Sequence, residues 1–137
     1  MAKETNMTDL KRDEIKYVRD LAKSTYKKGN ECYICGATEN LQFHHFYSMT
    51  KLWEAWKKKE RIIITSVEDI LQHRERFKEV HHDELYNQTV TLCKFHHMDK
   101  LHKVYGKVPC LKTAMKQKRW CESQRIKQIE KSQKEQE

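Results

Sequence analysis

The sequence predicts an α+β fold, and three observations carry that prediction. The alternating stretch Leu41-Gln42-Phe43-His44-His45 and the β-prone run 88-QTVTL-92 read as two short strands. Segments with apolar residues at helical spacing lie before, between and after them. Two ligand pairs, Cys32-x2-Cys35 and Cys93-x2-His96, sit just ahead of the first strand and just after the second. Together these describe a small antiparallel β-hairpin, a metal-binding helix, flanking N- and C-terminal helices and a helical insertion. Residues 1–137 read as one domain.

Residues 1–31 hold the first helix. Thr8 caps it and it runs to about Lys28, with Ile15, Val18, Ala22 and Thr25 in one buried stripe and Leu21 on its flank. Gly29-Asn30 stops it. In CYICGATENLQFHHF, Gly36 and Asn40 punctuate the turn before the first strand. The insertion, about 50–80, holds two helices. KLWEAWKKKE (51–60) turns Leu52, Trp53 and Trp56 inward. Thr65-x-x-Glu68 and Ser66-x-x-Asp69 both resemble capping boxes for a helix over about 67–79, ahead of Ile70, Leu71 and Phe77. After the second strand, 94–104 reads as a helix. Gly106 and Pro109 break the chain before a last helix from about 110, with Leu111, Ala114 and Met115 on its inner face. Beyond Trp120, RIKQIEKSQKEQE reads as a polar tail that frays or extends into solvent.

Only 37% of residues are apolar, against roughly 45–50% in an average domain, and mean hydropathy is −1.00. Such a chain buries a lean core, which a metal staple would support. No apolar run approaches the ~20 residues of a membrane span, and MAKETNMTDLKRDE has no apolar export signal, so an intracellular protein is expected. Five cysteines and no such signal favour metal ligation over disulfides. The net charge of +8 is concentrated after residue 106, where nine Lys/Arg face four Asp/Glu. That favours a polyanionic partner, nucleic acid first. Lys57, Lys58, Lys59 and Arg61 in the insertion and Lys112, Lys116, Lys118 and Arg119 in the last helix are the candidate backbone contacts. Trp53 and Trp56 read as packing residues.

Each Cys/His pair places two ligands on a tight turn at the reach of a tetrahedral zinc. Gly36 fits a knuckle in which the backbone must turn sharply around the ion. The halves lie 57 residues apart, so a structural Zn2+ held by Cys32, Cys35, Cys93 and His96 would pin the front of the fold to its back. Cys110 and Cys121 have no such pairing and read as ordinary buried or half-buried thiols. His73 and the pair His81-His82 lack a motif and read as surface or supporting residues.

The order CYICG, FHHF, Asn87, TLCKFHH and His102 resembles the zinc-bearing branch of the HNH endonuclease family over residues 32–106. The resemblance implies a ββα-metal core and hydrolysis of DNA phosphodiesters. It implies that His44, His97 and His102 are ligands of a catalytic divalent ion, and that His45 is the base that deprotonates water. Asn87 would hold that base by a hydrogen bond. The chemistry asks for such groups: a cation neutralises an already negative phosphodiester, and an imidazole titrates near working pH. A mostly imidazole site suits Mn2+, Ni2+, Co2+ or Zn2+, while Mg2+ or Mn2+ is compatible if phosphate completes the shell. Small nucleases of this family are often encoded by phages and mobile elements, which would place this one in the host cytoplasm.

Two features depart from the family pattern. His97 and His102 are five apart, about 140° around an α-helix, where four is usual. Either the helix carries a π-bulge, or His97 precedes its first regular turn, or His102 does not bind. Asn87 also lies one residue further from Cys93 than expected, with Gln88 as the apparent insertion. Three function classes follow: a metal-dependent DNA endonuclease on duplex or branched DNA, a zinc-stapled nucleic-acid-binding module without activity, and a structural adaptor. The first is preferred because His44, His45 and His97 are all present. A homodimer is compatible with the sequence, and nothing suggests a membrane partner.

Overall fold

The structure is a computed structural model that describes residues 7–23 and 26–136. Strand β1 (Leu41–His45) pairs antiparallel with β2 (Thr89–Cys93), with Phe43 opposite Thr91 and His45 opposite Thr89. Among the described residues the fold is α+β and mostly helical around this hairpin. Helix α1 (Met7–Lys23) precedes the hairpin, and α2 (Met49–Glu60) and α3 (Val67–Val80) lie between its strands. After β2 a π-helical segment, Phe95–Leu101, runs into the single turn α4 (His102–Tyr105). A 3-10 turn, Leu111–Thr113, leads into α5 (Ala114–Gln136).

Helix α1 buries Leu10, Val18 and Ala22. Thr8 lies inside this helix rather than capping it, and Thr25 falls outside the described residues. The helix does not continue to Lys28: Tyr26, Lys28 and Gly29 are engaged with the hairpin instead. Tyr26 stacks on Phe43 with ring centroids 4.5 Å apart. Lys28 donates from Nζ to the Leu41 carbonyl at 2.8 Å, and the Gly29 N–H donates to Thr91 Oγ1 at 2.8 Å. A Cβ at Gly29 would sit 3.2 Å from that same oxygen, so the close approach suits glycine.

Two apolar clusters result. Helices α1, α2 and α3 enclose the first, where Trp53 meets Phe77 edge-on at 5.1 Å and Trp56 tilts onto it at 5.6 Å. Buried Glu14 accepts from Trp53 Nε1 at 3.1 Å and pairs with Lys57. The second cluster joins the hairpin to α5 through Ile34, Phe46, Leu92, Leu101, Ala114 and Cys121.

Local chemistry explains the boundaries. Ser48, not anticipated, caps α2 by accepting from the Lys51 N–H. Ser66 caps α3 by accepting from the Asp69 N–H at 3.2 Å. Thr65 is therefore not a second cap; its N–H and hydroxyl both donate to the Asp69 carboxylate. Leu71 is exposed because it stands about 100° from the face shared by Ile70 and Phe77. In α5 the inner stripe is Ala114, Gln117 and Cys121, and Met115 is turned outward. The segment beyond Trp120 is not a frayed tail: it stays helical to Gln136, rich in Lys, Glu, Gln and Arg and free of Gly and Pro. Cys121 is buried as expected, whereas Cys110 is exposed. No described helix is long and apolar enough to cross a membrane.

Candidate metal centres and catalytic cleft

The knuckle between Cys32 and Gly36 closes on itself. The Gly36 N–H donates to the Cys32 carbonyl and the Cys32 N–H to the Ala37 carbonyl, both at 2.8 Å, while Gly36 takes φ +76°. This turn carries Cys32 and Cys35 to the end of β2, where Cys93 and His96 wait. The four ligand atoms lie within 4.8 Å of one another. Cys35 Sγ is 3.8 Å from Cys93 Sγ, and His96 Nδ1 is 3.3 Å from Cys93 Sγ and 3.9 Å from Cys32 Sγ. A tetrahedron with Zn–S bonds of about 2.3 Å has S···S edges of about 3.8 Å, so the group fits zinc. Burial opposes ionisation of Cys32, but backbone N–H groups around its sulfur outweigh this and hold its thiol below the usual value. Burial pushes Cys35 up to about 11, and the neighbouring sulfurs add to it. A second thiolate there calls for a cation.

The second group is built from three elements. Gln42 and His44 share one face of β1, and His97 faces them from the π-helical segment. In that segment the His102 N–H bonds the His97 carbonyl, five residues back. The π turn thus aligns side chains five apart, which an α-helix would splay. His97 Nε2 lies 2.9 Å from His44 Nδ1 and 2.9 Å from His102 Nε2.

The outer nitrogen of each ring meets a carbonyl oxygen. His44 Nε2 donates to Gln117 Oε1, His97 Nδ1 to Gln42 Oε1 and His102 Nδ1 to the Gly106 carbonyl, each at 2.7 Å. These acceptors fix the tautomers, leaving three lone pairs pointed at one another. Such an arrangement repels itself until a cation sits among the rings. The residues present therefore fit a divalent ion. Burial first, then the neighbouring imidazoles, lowers His44 to about 3 and His97 to about 4, so both are neutral and ready to ligate.

His45 points to the other face of β1. Its ring packs against Tyr26 and Phe43, with centroids 4.9 and 5.1 Å away. Burial lowers it to about 4, opposed by a hydrogen bond with the Leu85 backbone and assisted by the Arg19 charge. Its Nε2 is buried without a hydrogen-bond partner, as is the Tyr26 hydroxyl. His44, His45, Tyr26 and His102 nevertheless line one 360 Å³ cleft, because the histidine pair ends its strand.

Asn87 does not meet His45. It is exposed, and its amide donates to Asp83 Oδ1 at 3.0 Å. A second π turn, Asp83–Asn87, accommodates the extra residue before β2 and turns the asparagine outward. The Leu85 backbone takes the place expected of Asn87.

None of the eight expected DNA-contacting cations lines the cleft. Lys57 is tied to Glu14, Lys58, Lys59 and Arg61 are exposed at the end of α2, and Lys112, Lys116, Lys118 and Arg119 are exposed around the start of α5. The cations that do line it are Arg19, Lys23 and Lys107. Tyr26, Gln42 and Gln117 also belong to the site, outside the residues the motifs mark. For α1 a signal existed in the helical spacing of its cations; for a buried glutamine none did.

A family model described as the phage T5 nicking endonuclease family matches residues 2–137. The chain belongs to that family. It is a DNA-cleaving nuclease, and DNA is its partner. No solved structure matches the chain. Two Cys/His groups among the described residues of this nicking endonuclease can hold metal ions, and both adjoin the hairpin.

Proposed function

We propose that this nuclease is of the HNH type, with a ββα-metal core made by β1, β2 and the His97–His102 helix. It hydrolyses a DNA phosphodiester in the cleft. One observation carries the reading: three imidazoles, each locked by a carbonyl, aim their lone pairs at one point beside a fourth imidazole whose Nε2 is unpartnered.

His44, His97 and His102 would hold the catalytic ion, and Cys32, Cys35, Cys93 and His96 a structural zinc. A divalent ion held there would supply charge neutralisation on the scissile phosphate and stabilisation of the departing oxygen. His45, kept neutral by burial, takes the water proton on Nε2 as the water oxygen bonds to phosphorus and the P–O bond to the departing sugar oxygen breaks, that oxygen taking a proton from solvent. The Leu85 backbone orients its ring. Asn87 is a positioning residue here: its amide secures Asp83 and so the turn that bears Leu85. Arg19, Lys23 and Lys107 draw the phosphate in, replacing the more remote lysines as the closest cations. Three imidazoles favour Mn2+, Co2+, Ni2+ or Zn2+, and substrate oxygens would admit Mg2+.

Supercoiled plasmid tests this. Protein with added Mn2+ or Mg2+ should convert it to open circles, and His45→Ala should slow conversion by about 10²–10⁴-fold with zinc content unchanged. Cleavage unaffected by His45→Ala would remove the mechanism. Salt-sensitive binding with no cleavage by the native protein would favour an inactive zinc-stapled binding module.

A further inference from the structure

We propose that the face of α1 bearing Arg12, Lys16, Arg19 and Lys23 is a track for the phosphate backbone of the DNA strand that enters the cleft. This rests on the reading of the cleft as the cleavage site and extends it to how substrate is held outside that site.

The four residues fall at i, i+4, i+7 and i+11, within about 60° of arc on a helix. The acidic Asp9, Asp13 and Asp20 are segregated to the neighbouring arc, and Leu10, Val18 and Ala22 to the buried one. Arg12 is paired with exposed Asp9. Lys16, Arg19 and Lys23 have no ion pair among the described residues. The stripe is about 16 Å long, or about five phosphate steps of one strand along a duplex axis.

Its position is what separates it from an ordinary solvated face. A shallow groove between α1 and α2, lined by Lys11, Arg12, Lys16 and the single acid Glu54, continues into the cleft. Arg19 and Thr50 line both. Lys23 stands further along the same helix at the cleft, and Lys107 also lines it. A polyanion lying on α1 would therefore be led past His45 towards His44 and His102. The other basic helix, α5, offers no such continuity: none of its cations lines the cleft, and Arg125 packs instead on Tyr33 of the Cys32–Gly36 knuckle.

The test is anisotropy of a labelled 30-base-pair duplex across 50–200 mM salt, with the zinc-loaded protein and no added divalent ion. Each lost phosphate contact should lower the slope of log K against log salt by about 0.9 and weaken binding roughly eightfold at 0.1 M. The Arg12→Ala/Lys16→Ala variant should lose close to two such contacts. Lys131→Ala/Lys134→Ala, the same charge change at the far end of α5, should keep the native slope. An unchanged slope in the α1 variant, or an equal loss in both variants, overturns the track. Because this assay needs no cleavage, native protein that binds with the expected slope but never nicks plasmid would sink the cleavage reading and leave the track standing. Nicking with an unchanged slope in the α1 variant would do the reverse.

Discussion

Replacing Gln117 with leucine should weaken binding of the catalytic ion although the side chain never reaches it. Gln117 is fully buried and makes three hydrogen bonds. Its Oε1 accepts from His44 at 2.7 Å, and its Nε2 donates to the Phe46 carbonyl at 3.2 Å and to Thr113 Oγ1 at 2.9 Å. The two donations fix which end of the amide faces His44, so His44 must carry its proton on Nε2 and present Nδ1 to His97, where the proposed ion would bind. Leucine fills a similar volume but leaves the His44 N–H and the Phe46 carbonyl unsatisfied. Each orphaned group costs about 1–3 kcal/mol, partly offset by the apolar side chain. The freed ring can also exchange tautomers. Loss of an outer hydrogen bond of this kind lowers metal affinity about 10–100-fold, or about 1.4–2.7 kcal/mol. Calorimetric titration of Mn2+ into zinc-loaded protein reads that loss, and circular dichroism checks that the variant is folded. Gln117→Glu supplies an acceptor to His44 and should recover most of the affinity. Native affinity in Gln117→Leu would refute the argument that this amide sets the tautomer.

Three further outcomes are expected. Cys35→Ser should abolish tight zinc binding and lower the unfolding temperature sharply, since a structural zinc contributes folding free energy directly; an unchanged melt with zinc absent by elemental analysis would contradict this. Brief alkylation of the native zinc-loaded protein should modify Cys110 first, because Cys121 is buried and burial pushes its thiol up to about 12; peptide mass spectrometry showing Cys121 labelled as fast would count against the described packing. Glu14→Gln should cost about 1–3 kcal/mol in urea unfolding, because Lys57 loses its partner and the Trp53 N–H its charged acceptor; a midpoint equal to the native one would show that the pair is not a stabilising contact.

The hairpin and the helical flanks were legible because strands and helices write their periods into sequence. Leu41–His45 alternates, and Ile70 with Phe77, or Val18 with Ala22, return to one face. The paired spacing of Cys32/Cys35 and Cys93/His96 was equally plain, since a knuckle needs its ligands close in the chain. The π turn that joins His97 to His102 was less accessible. Local sequence does not separate a π from an α turn when the choice is made by rings held from β1 and the Gly106 carbonyl. Gln117 was hidden for a related reason: a polar residue inside a buried stripe looks like an interruption until its partners on other elements are known. Asn87 misled because an insertion absorbed in the turn before β2 rotates a side chain without altering motif order. The cations of α1 were visible at helical spacing, but only the cleft beside Arg19 and Lys23 gives that face a direction.

Two independent ion centres flanking the hairpin are the central claim. Native mass spectrometry of protein purified with zinc and then equilibrated with Mn2+ measures this directly, for the native chain and for His97→Ala. One zinc and one manganese per native chain, with zinc kept and manganese lost in His97→Ala, is the expected result. Manganese retained in full by His97→Ala, or zinc lost with it, would contradict the account.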